Sequence, residues 1–330
     1  MARAAPHDIG VVAIGRNEGK RLIDCLTSVR TETANIVYVD SGSSDGSVSA
    51  AENIGARVVK LDLTLPFTAA RARNEGFAIL RSLEPNIRFV QFIDGDCILA
   101  PFWIERALAF MTQRPDVAIA CGRRRERDPA ASIYNRLIDD EWNTPVGEAT
   151  ACGGDAVVRV DAFESAGGFR PSLMAGEEPE LCLRLRDNGW KIWRLDEEMT
   201  LHDAAMYRFS QWWTRSVRSG YGFAEVSRLH RASPQVTWGR EIVRAAFWAG
   251  VLPLIILAGA LIHPNSFWLL LAYPLHVVRL GIRRGATASD NWWYAILSVP
   301  AKFAQLQGIL RFYWSNWRQQ ETQLIEYKKS

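Results

Sequence analysis

Two carboxylates, Asp94 and Asp96, stand one glycine apart at the end of the largely apolar stretch RFVQFIDGDCILA (88–100). Like charges at that range repel, and holding them at the end of a buried strand adds a desolvation penalty. A cation relieves both, and hard divalent ions such as Mg2+ or Mn2+ take oxygen ligands, commonly one or two carboxylates together with substrate phosphates. A solvated turn is the competing explanation, because Asp-Gly-Asp is also good turn chemistry. Asp40 closes NIVYVD (35–40) in the same way, and Glu177, Glu178 and Glu180 crowd into AGEEPELCLRL (175–185). Three exposed acids opening a helix are stabilised by its positive end whether or not they do chemistry.

The elements that must position these acids are legible as short Val/Ile-rich runs alternating with amphipathic segments. IGVVAIG (9–15), NIVYVD (35–40), ARVVKLD (56–62), RFVQFID (88–94) and VAIACG (117–122) are strand-like. EGKRLIDCLTSVR puts Leu22, Ile23, Leu26 and Val29 on one helical face, and PFWIERALAFMTQ does the same with Phe102, Ala107, Phe110 and Met111. Strand and helix in alternation predict an α/β fold with a mostly parallel sheet covered on both faces. Ligands of such sheets bind beyond the carboxyl ends of the strands, where Asp40 and Asp94 stand.

Composition narrows the function classes. The 330 residues are 48% hydrophobic, enough for a sizeable core, and the net charge of +3 with intermixed signs argues against nucleic acid as a partner. Five cysteines, Cys25, Cys97, Cys121, Cys152 and Cys182, are odd in number and never spaced CxxC, which speaks against a disulfide framework or a zinc site and for a reducing compartment. The start, MARAAPHDIG, has no apolar core of a signal peptide, so a cytoplasmic N-terminus is expected.

Over about the first two-thirds of the chain, VVAIGRNEG, IVYVDSGSSDGS, ARARNEGF, FIDGDC, GGFRPSLMAGEEPELCLRLRDNGW and LHD occur in an order and spacing that resemble family 2 glycosyltransferases. That resemblance implies the GT-A fold, and transfer of a sugar from a nucleotide diphosphate to an acceptor hydroxyl with inversion at the anomeric carbon. Asp40 then matches the acid that contacts the nucleotide base, although Asp45 is the better candidate to cap the following helix. Arg73 matches an arginine at the nucleotide site, where a planar cation suits phosphate, while Arg71 reads as a surface arginine. Asp94 and Asp96 match the DxD element, the first holding ribose and the second the Mn2+ or Mg2+ that bridges the diphosphate. His202 matches a histidine that completes the metal site. The family pattern Gly-Glu-Asp-x-Asp-Leu puts Glu178 where the general base stands, with Glu177 able to share that role and Glu180 at a structural acid. CGGDAVVRVDAFESAGGF resembles the acceptor-side segment, with Gly153 and Gly154 allowing close approach and Asp155 offered to sugar hydroxyls, or else a strand bulge.

The sequence departs from the pattern in three places. Glu replaces the usual Asp at 178, Ser41 replaces the second Asp of DDGS, and Gln211 and Arg215 in QWWTRSVRSGYGF do not make the QxxRW element of processive synthases. A single sugar per encounter is the expectation, with a UDP-sugar as donor. A sugar-nucleotidyltransferase would also use paired acids and Mg2+, but GRNEGKR is a poor version of its Gly-rich loop. A non-catalytic membrane scaffold would tolerate loss of Asp96.

Two domains are expected, a GT-A domain over 1–238 and a helical membrane-associated region over 239–330. Between 245 and 278 there is no Asp, Glu, Lys or Arg, and HPNS (263–266) divides this stretch into two apolar arms. Each arm is roughly seventeen residues, at the lower limit of about 17–25 for a bilayer span. Arg240, Arg244, Arg279, Arg283 and Arg284 flank the hairpin and the turn carries none, which by the positive-inside bias puts both ends in the cytoplasm. NWWYAILSVPAKFAQLQGILRFYWSNWR (291–318) reads as an interfacial amphipathic helix, and the tryptophans at 248, 268, 292, 293, 314 and 317 favour a membrane interface over a buried cap or dimer face. Location at the cytoplasmic face of a bacterial inner membrane implies a lipid-linked saccharide acceptor in polysaccharide biosynthesis. A free saccharide acceptor and a homo-oligomer stay open.

Overall fold

The computed structural model describes residues 8–233 and 238–318. The first seven residues of the expected cytoplasmic N-terminus lie outside them. The chain divides into two compact units, Met1–Arg127 with Ile138–Ala204, and Asp128–Leu137 with Ala205–Ser330. The second unit therefore begins ahead of the composition change near residue 239.

The first unit runs β1 (Ile9–Gly15), α1 (Lys20–Arg30), β2 (Ile36–Asp40), α2 (Ser47–Ile54), β3 (Arg57–Lys60), α3 (Ala69–Leu83), β4 (Phe89–Asp94), β5 (Cys97–Leu99), α4 (Trp103–Gln113) and β6 (Val117–Glu126). After α5 (Ile133–Glu141), within which the boundary between units falls, come β7 (Gly147–Ala149), β8 (Ala156–Arg159), α6 (Val160–Ser165), α7 (Glu177–Asp187) and β9 (Lys191–His202). Nine strands form one sheet in the order β3-β2-β1-β4-β8-β6-β9-β5, with β7 on β9. The β1–β2, β2–β3, β1–β4 and β6–β9 pairs are parallel, but β4–β8, β6–β8, β5–β9 and β7–β9 are antiparallel. The sheet is thus mixed, and the parallel expectation is met by β3-β2-β1-β4 and by the β6–β9 pair. Chain order reverses about β1, whose end Gly15 lies level with Asp40 on one side while Ile14 lies level with Asp94 on the other. A crevice at such a switch point is where α/β sheets take ligands.

The helical faces shift from those expected. In α1 Cys25 joins Leu22, Leu26 and Val29 in the core and Ile23 is 41% exposed. In α4 the buried set is Trp103, Ile104, Ala107, Leu108 and Met111, and Phe102 turns out to solvent at 52%. Phe102 occupies the left-handed position before the helix, so its side chain leaves along a different direction from the helical face.

The second unit holds α8 (Phe209–Leu229), α9 (Gly239–Ala246), a π-helical turn (Phe247–Val251), α10 (Leu252–Ile262), a 3-10 segment (Pro264–Leu271), α11 (Ala272–Arg284) and α12 (Ser289–Trp317). From Gly239 to Ile262 the helix is continuous for 24 residues, long and apolar enough to cross a membrane, and among the described residues one helix meets that description. The second arm expected of the hairpin is split between 3-10 and α-helical stretches. The segment expected to be amphipathic and interfacial is the long helix α12.

Helices α8 and α12 meet backbone to backbone. A Cβ on Gly308 would lie 2.0 Å from the Val217 carbonyl oxygen, and one on Gly220 would lie 2.0 Å from that of Gln305. Backbone cannot yield as a side chain can, so an added methyl must part the helices. Gly308→Ala is expected to lower stability by about 1–3 kcal/mol, the usual scale for overpacking. Gly239→Ala, where a Cβ meets nothing within 4 Å, is the control. Equal thermal midpoints for the two variants in detergent would refute the close crossing.

Candidate active site

Strand register assembles the acids. Pairing of β5 with β9 sets Cys97 opposite His202, and pairing of β6 with β9 sets Glu126 opposite the same histidine. Asp96, adjacent to Cys97, therefore reaches His202, with Oδ2 3.5 Å from Nε2. Glu126 Oε2 lies 3.6 Å from His202 Nδ1, and the Trp142 ring meets the imidazole edge-on at 4.7 Å.

Asp94 is held from three sides. Arg73 Nη2 donates to its Oδ1 at 2.7 Å, Arg124 Nη2 approaches its Oδ2 at 3.5 Å, and its backbone N–H donates to Asp155 Oδ1 at 3.0 Å. Burial works to raise the Asp94 pKa, but Arg73 and then Arg124 outweigh it and hold it below the ordinary carboxylate range. Arg73 is 2% exposed, and its Nη1 donates to Glu177 Oε1 at 2.8 Å, so one guanidinium bridges the strand-end acid and the first acid of α7. Burial disfavours its charge, yet Asp94 and Glu177 reverse that and raise its pKa. Three residues beyond Arg73, Gly76 lets α3 lie on the sheet, since a Cβ there would come 2.4 Å from Val12 and 2.7 Å from Val39. Gly154 does the same for the ion pair, because a Cβ would fall 2.8 Å from Arg73 Nη2 and 3.1 Å from Asp94 Oδ2.

Glu178, at the N-terminus of α7, points inward and is 7% exposed. Its Oε1 accepts from the Cys152 N–H at 2.6 Å, from Cys152 Sγ at 2.9 Å and from Cys182 Sγ at 3.0 Å. Burial raises its pKa, and the hydrogen bonds from Cys152 and Cys182 only partly oppose that rise. Glu180 is fully buried and tied to Arg170 and Arg184.

Other expected residues take different places. Asp40 accepts from the N–H groups of Gly42 and Ser43 through Oδ2 and from the Tyr38 hydroxyl through Oδ1, so it also builds the turn that follows its strand. Asp45 accepts from Ser47 and Gly19 N–H groups, pinning the loop after β1 to the loop after β2. Arg71 is buried rather than superficial, bonded to Glu75 and to the Leu65 and Pro66 carbonyls. Asp155, offered above to sugar hydroxyls, is 0% exposed and spends its carboxylate on the Asp94 N–H, on Thr200 Oγ1 and on Arg124. It supports the floor of the site and does not line its surface. Gly153, with φ +89°, has nothing within 4 Å of a built Cβ and sits on the open loop.

Arg124 escaped the sequence reading. It neighbours Asp94 and Asp155 and lies over the Trp142 ring at 4.6 Å. The triple arginine of CGRRRE was the available signal, because Arg123, Arg124 and Arg125 prolong a strand otherwise apolar.

Ligand atoms of Asp96, Cys97 and His202 all lie within 4.8 Å of one another. A thiol is a soft ligand that a hard ion does not favour, so Cys97 is the least suited of the three. Carboxylate oxygen and imidazole nitrogen remain, a set that fits Mn2+ or Mg2+ completed by phosphate oxygens.

The family described as Glycosyl transferase family 2 matches residues 11–174. A pre-mycofactocin glycosyltransferase of Mycobacterium tuberculosis is 25% identical over 338 residues, covering 93% of this chain and 65% of that protein. The chain thus spans about two-thirds of that relative's length. The succinoglycan biosynthesis protein ExoA of Rhizobium meliloti is 24% identical over 247 residues, covering 71% of this chain and 73% of that protein. Among solved structures, the mannosyltransferase PcManGT from Pyrobaculum calidifontis, in complex with GDP-Man and Mn2+, aligns with TM-score 0.60 at 15% identity over 94% of this chain and 88% of that one. Residues 1–349 of S. aureus TarS, in complex with UDP-GlcNAc, align with TM-score 0.50 at 15% identity over 95% and 92%. At such identities the structural matches speak to the fold.

Proposed function

The chain belongs to glycosyl transferase family 2, and from that premise we propose that it transfers a single sugar from a nucleotide diphosphate donor to an acceptor hydroxyl, inverting the anomeric carbon. The observation that carries this reading is one cluster around the carboxyl ends of β1, β2 and β4. Asp94 is bound to Arg73, Arg73 to Glu177, Asp96 stands against His202, and Glu178 is buried with a raised pKa.

Asp40 and Asp94 flank the end of β1, a spacing suited to the base and ribose of a nucleotide. A Mn2+ or Mg2+ held by Asp96 and His202 would neutralise charge on the departing diphosphate. Arg73 holds Asp94 in place and brings a permanent positive charge to the same end of the sheet, where leaving-group charge develops. Glu178 takes the acceptor hydroxyl's proton, a role for which a carboxylate with a raised pKa is better matched to neutral pH than an ordinary one. Glu177 serves by fixing Arg73, Gly154 makes room for the Arg73–Asp94 pair, and Gly153 leaves the acceptor side unobstructed.

The acceptor we propose is a lipid-linked saccharide met at the cytoplasmic face of a membrane. The Gly239–Ile262 helix supports that, since Leu254, Leu257, Leu261 and Ile262 are exposed, as are Trp268, Trp293, Trp314 and Trp317 elsewhere in the same unit. Calorimetric titration with UDP and with GDP, with and without Mn2+, tests the donor site. Wild type should bind one of the two in a metal-dependent way, and Asp96→Asn should lose that binding. Absence of binding by folded wild type would remove the transferase reading in favour of a scaffold.

A further inference from the structure

The cysteine spacing argued against a thiolate metal site, but the fold brings two of the five thiols onto one carboxylate. Glu178 and Cys182 stand i and i+4 on α7, hence on one helical face, and Cys152 reaches them from the loop before β8. Cys152 Sγ lies 3.7 Å from Cys182 Sγ, and both lie about 3 Å from Glu178 Oε1, at 2.9 and 3.0 Å. The three ligand atoms lie within 4.8 Å of one another.

We propose that Cys152, Cys182 and Glu178 form a binding site for a thiophilic divalent cation of the zinc class, built from residues other than the Asp96–His202 pair. Two thiolates about 2.3 Å from one tetrahedral ion stand about 3.8 Å apart, so the sulfurs are already at the separation such an ion requires. The carboxylate oxygen needs to retreat by only about 0.5 Å to complete the third position, with water or substrate in the fourth. A disulfide fits less well, because its sulfurs must close to about 2.05 Å. Burial also holds both thiols above their ordinary pKa, which slows oxidation because the thiolate is the reactive form. Cys152 is only half-buried, which leaves the ion a way in from the loop. Binding releases about two thiol protons per ion. If Glu178 is the base, as proposed above, occupancy removes it from catalysis, and zinc inhibits transfer until a chelator strips it.

Cobalt(II) titration of the whole, reduced protein in detergent tests the site without donor or acceptor, so its result is independent of the transferase reading. A thiolate-to-cobalt charge-transfer band should rise to one equivalent and be displaced by Zn2+. The band should be lost in Cys152→Ser, and Cys182→Ser should agree if it folds. Glu178→Gln should keep the band with weakened affinity, and Asp96→Asn with His202→Ala should keep it unchanged. Absence of the band in folded wild type would overturn the proposal. So would its persistence in Cys152→Ser, or its loss with Asp96 and His202, which would place the ion on Cys97 instead.

Discussion

Glu178→Gln is expected to slow sugar transfer by about 10²–10⁴-fold, the range that a general base contributes, while nucleotide binding stays near wild type. The substitution keeps the side chain's length and its acceptance of the Cys152 N–H but removes the capacity to take a proton. Because burial raises the Glu178 pKa, the acid limb of kcat/KM for wild type should lie above the ordinary glutamate range. Transfer then falls as pH drops through that raised value, and the residual rate of the glutamine variant should lack this limb. Stability moves the opposite way. Between the unfolded and the raised folded pKa the native state binds more protons than the unfolded state, so Glu178 makes wild type less stable as pH rises through that window. Glutamine removes this slope, and urea midpoints across the window should converge towards pH independence at this site. A glutamine variant with wild-type turnover, while Glu177→Gln carries the loss, would transfer the base assignment to Glu177.

What the sequence disclosed and what it concealed divide along local and non-local structure. The strand runs, Asp40 and Asp94 at their ends, and Arg73 one helical turn before Gly76 depend on nearby residues, and a period of two or of 3.6 reveals them. Arg124 and Glu126 depend on the β6–β9 pairing and Asp155 on the β4–β8 pairing, whose registers no local pattern announces. Asp155 looked available because it follows two glycines; the β4–β8 register turns it under Asp94. Likewise, 30 residues separate Cys152 from Cys182, and only the approach of the loop before β8 to α7 joins them. In α4 Ala107 and Met111 are buried as the helical period predicts, but Phe102 turns outward because it takes a left-handed backbone just before the helix, a feature for which phenylalanine gives no warning. Arg71 looked like a surface residue because its partners are mostly carbonyls, which leave no charge signature in a sequence.

Arg73→Met is expected to be the most destabilising substitution in the site. The guanidinium neutralises Asp94 and Glu177 together at 2.7 and 2.8 Å, and removing it leaves two partly buried carboxylates without their shared counter-ion. Breaking a buried pair from one side typically costs about 3–5 kcal/mol, far more than the pair itself contributes. Arg73→Lys should fall between the two, because an ammonium keeps the charge but cannot serve both acids with a planar fork. The pH dependence carries the sign of a depressed acid. With Arg73 present, the stability due to Asp94 is in place above its unfolded pKa and is lost as pH falls through the depressed folded value. Without Arg73 that depression relaxes, so the loss should begin at higher pH, and acidification to near the ordinary aspartate range should narrow the gap between variant and wild type. Adding Asp94→Asn and Glu177→Gln to Arg73→Met should restore part of the stability while nucleotide binding stays lost, because the fold needs the charges balanced whereas the donor needs the arginine. Urea denaturation of wild type and the three variants at neutral and acid pH reads the stabilities and calorimetric titration reads the nucleotide binding, and an additive triple variant would mean that Arg73 stabilises the fold by packing on Phe169 rather than by charge.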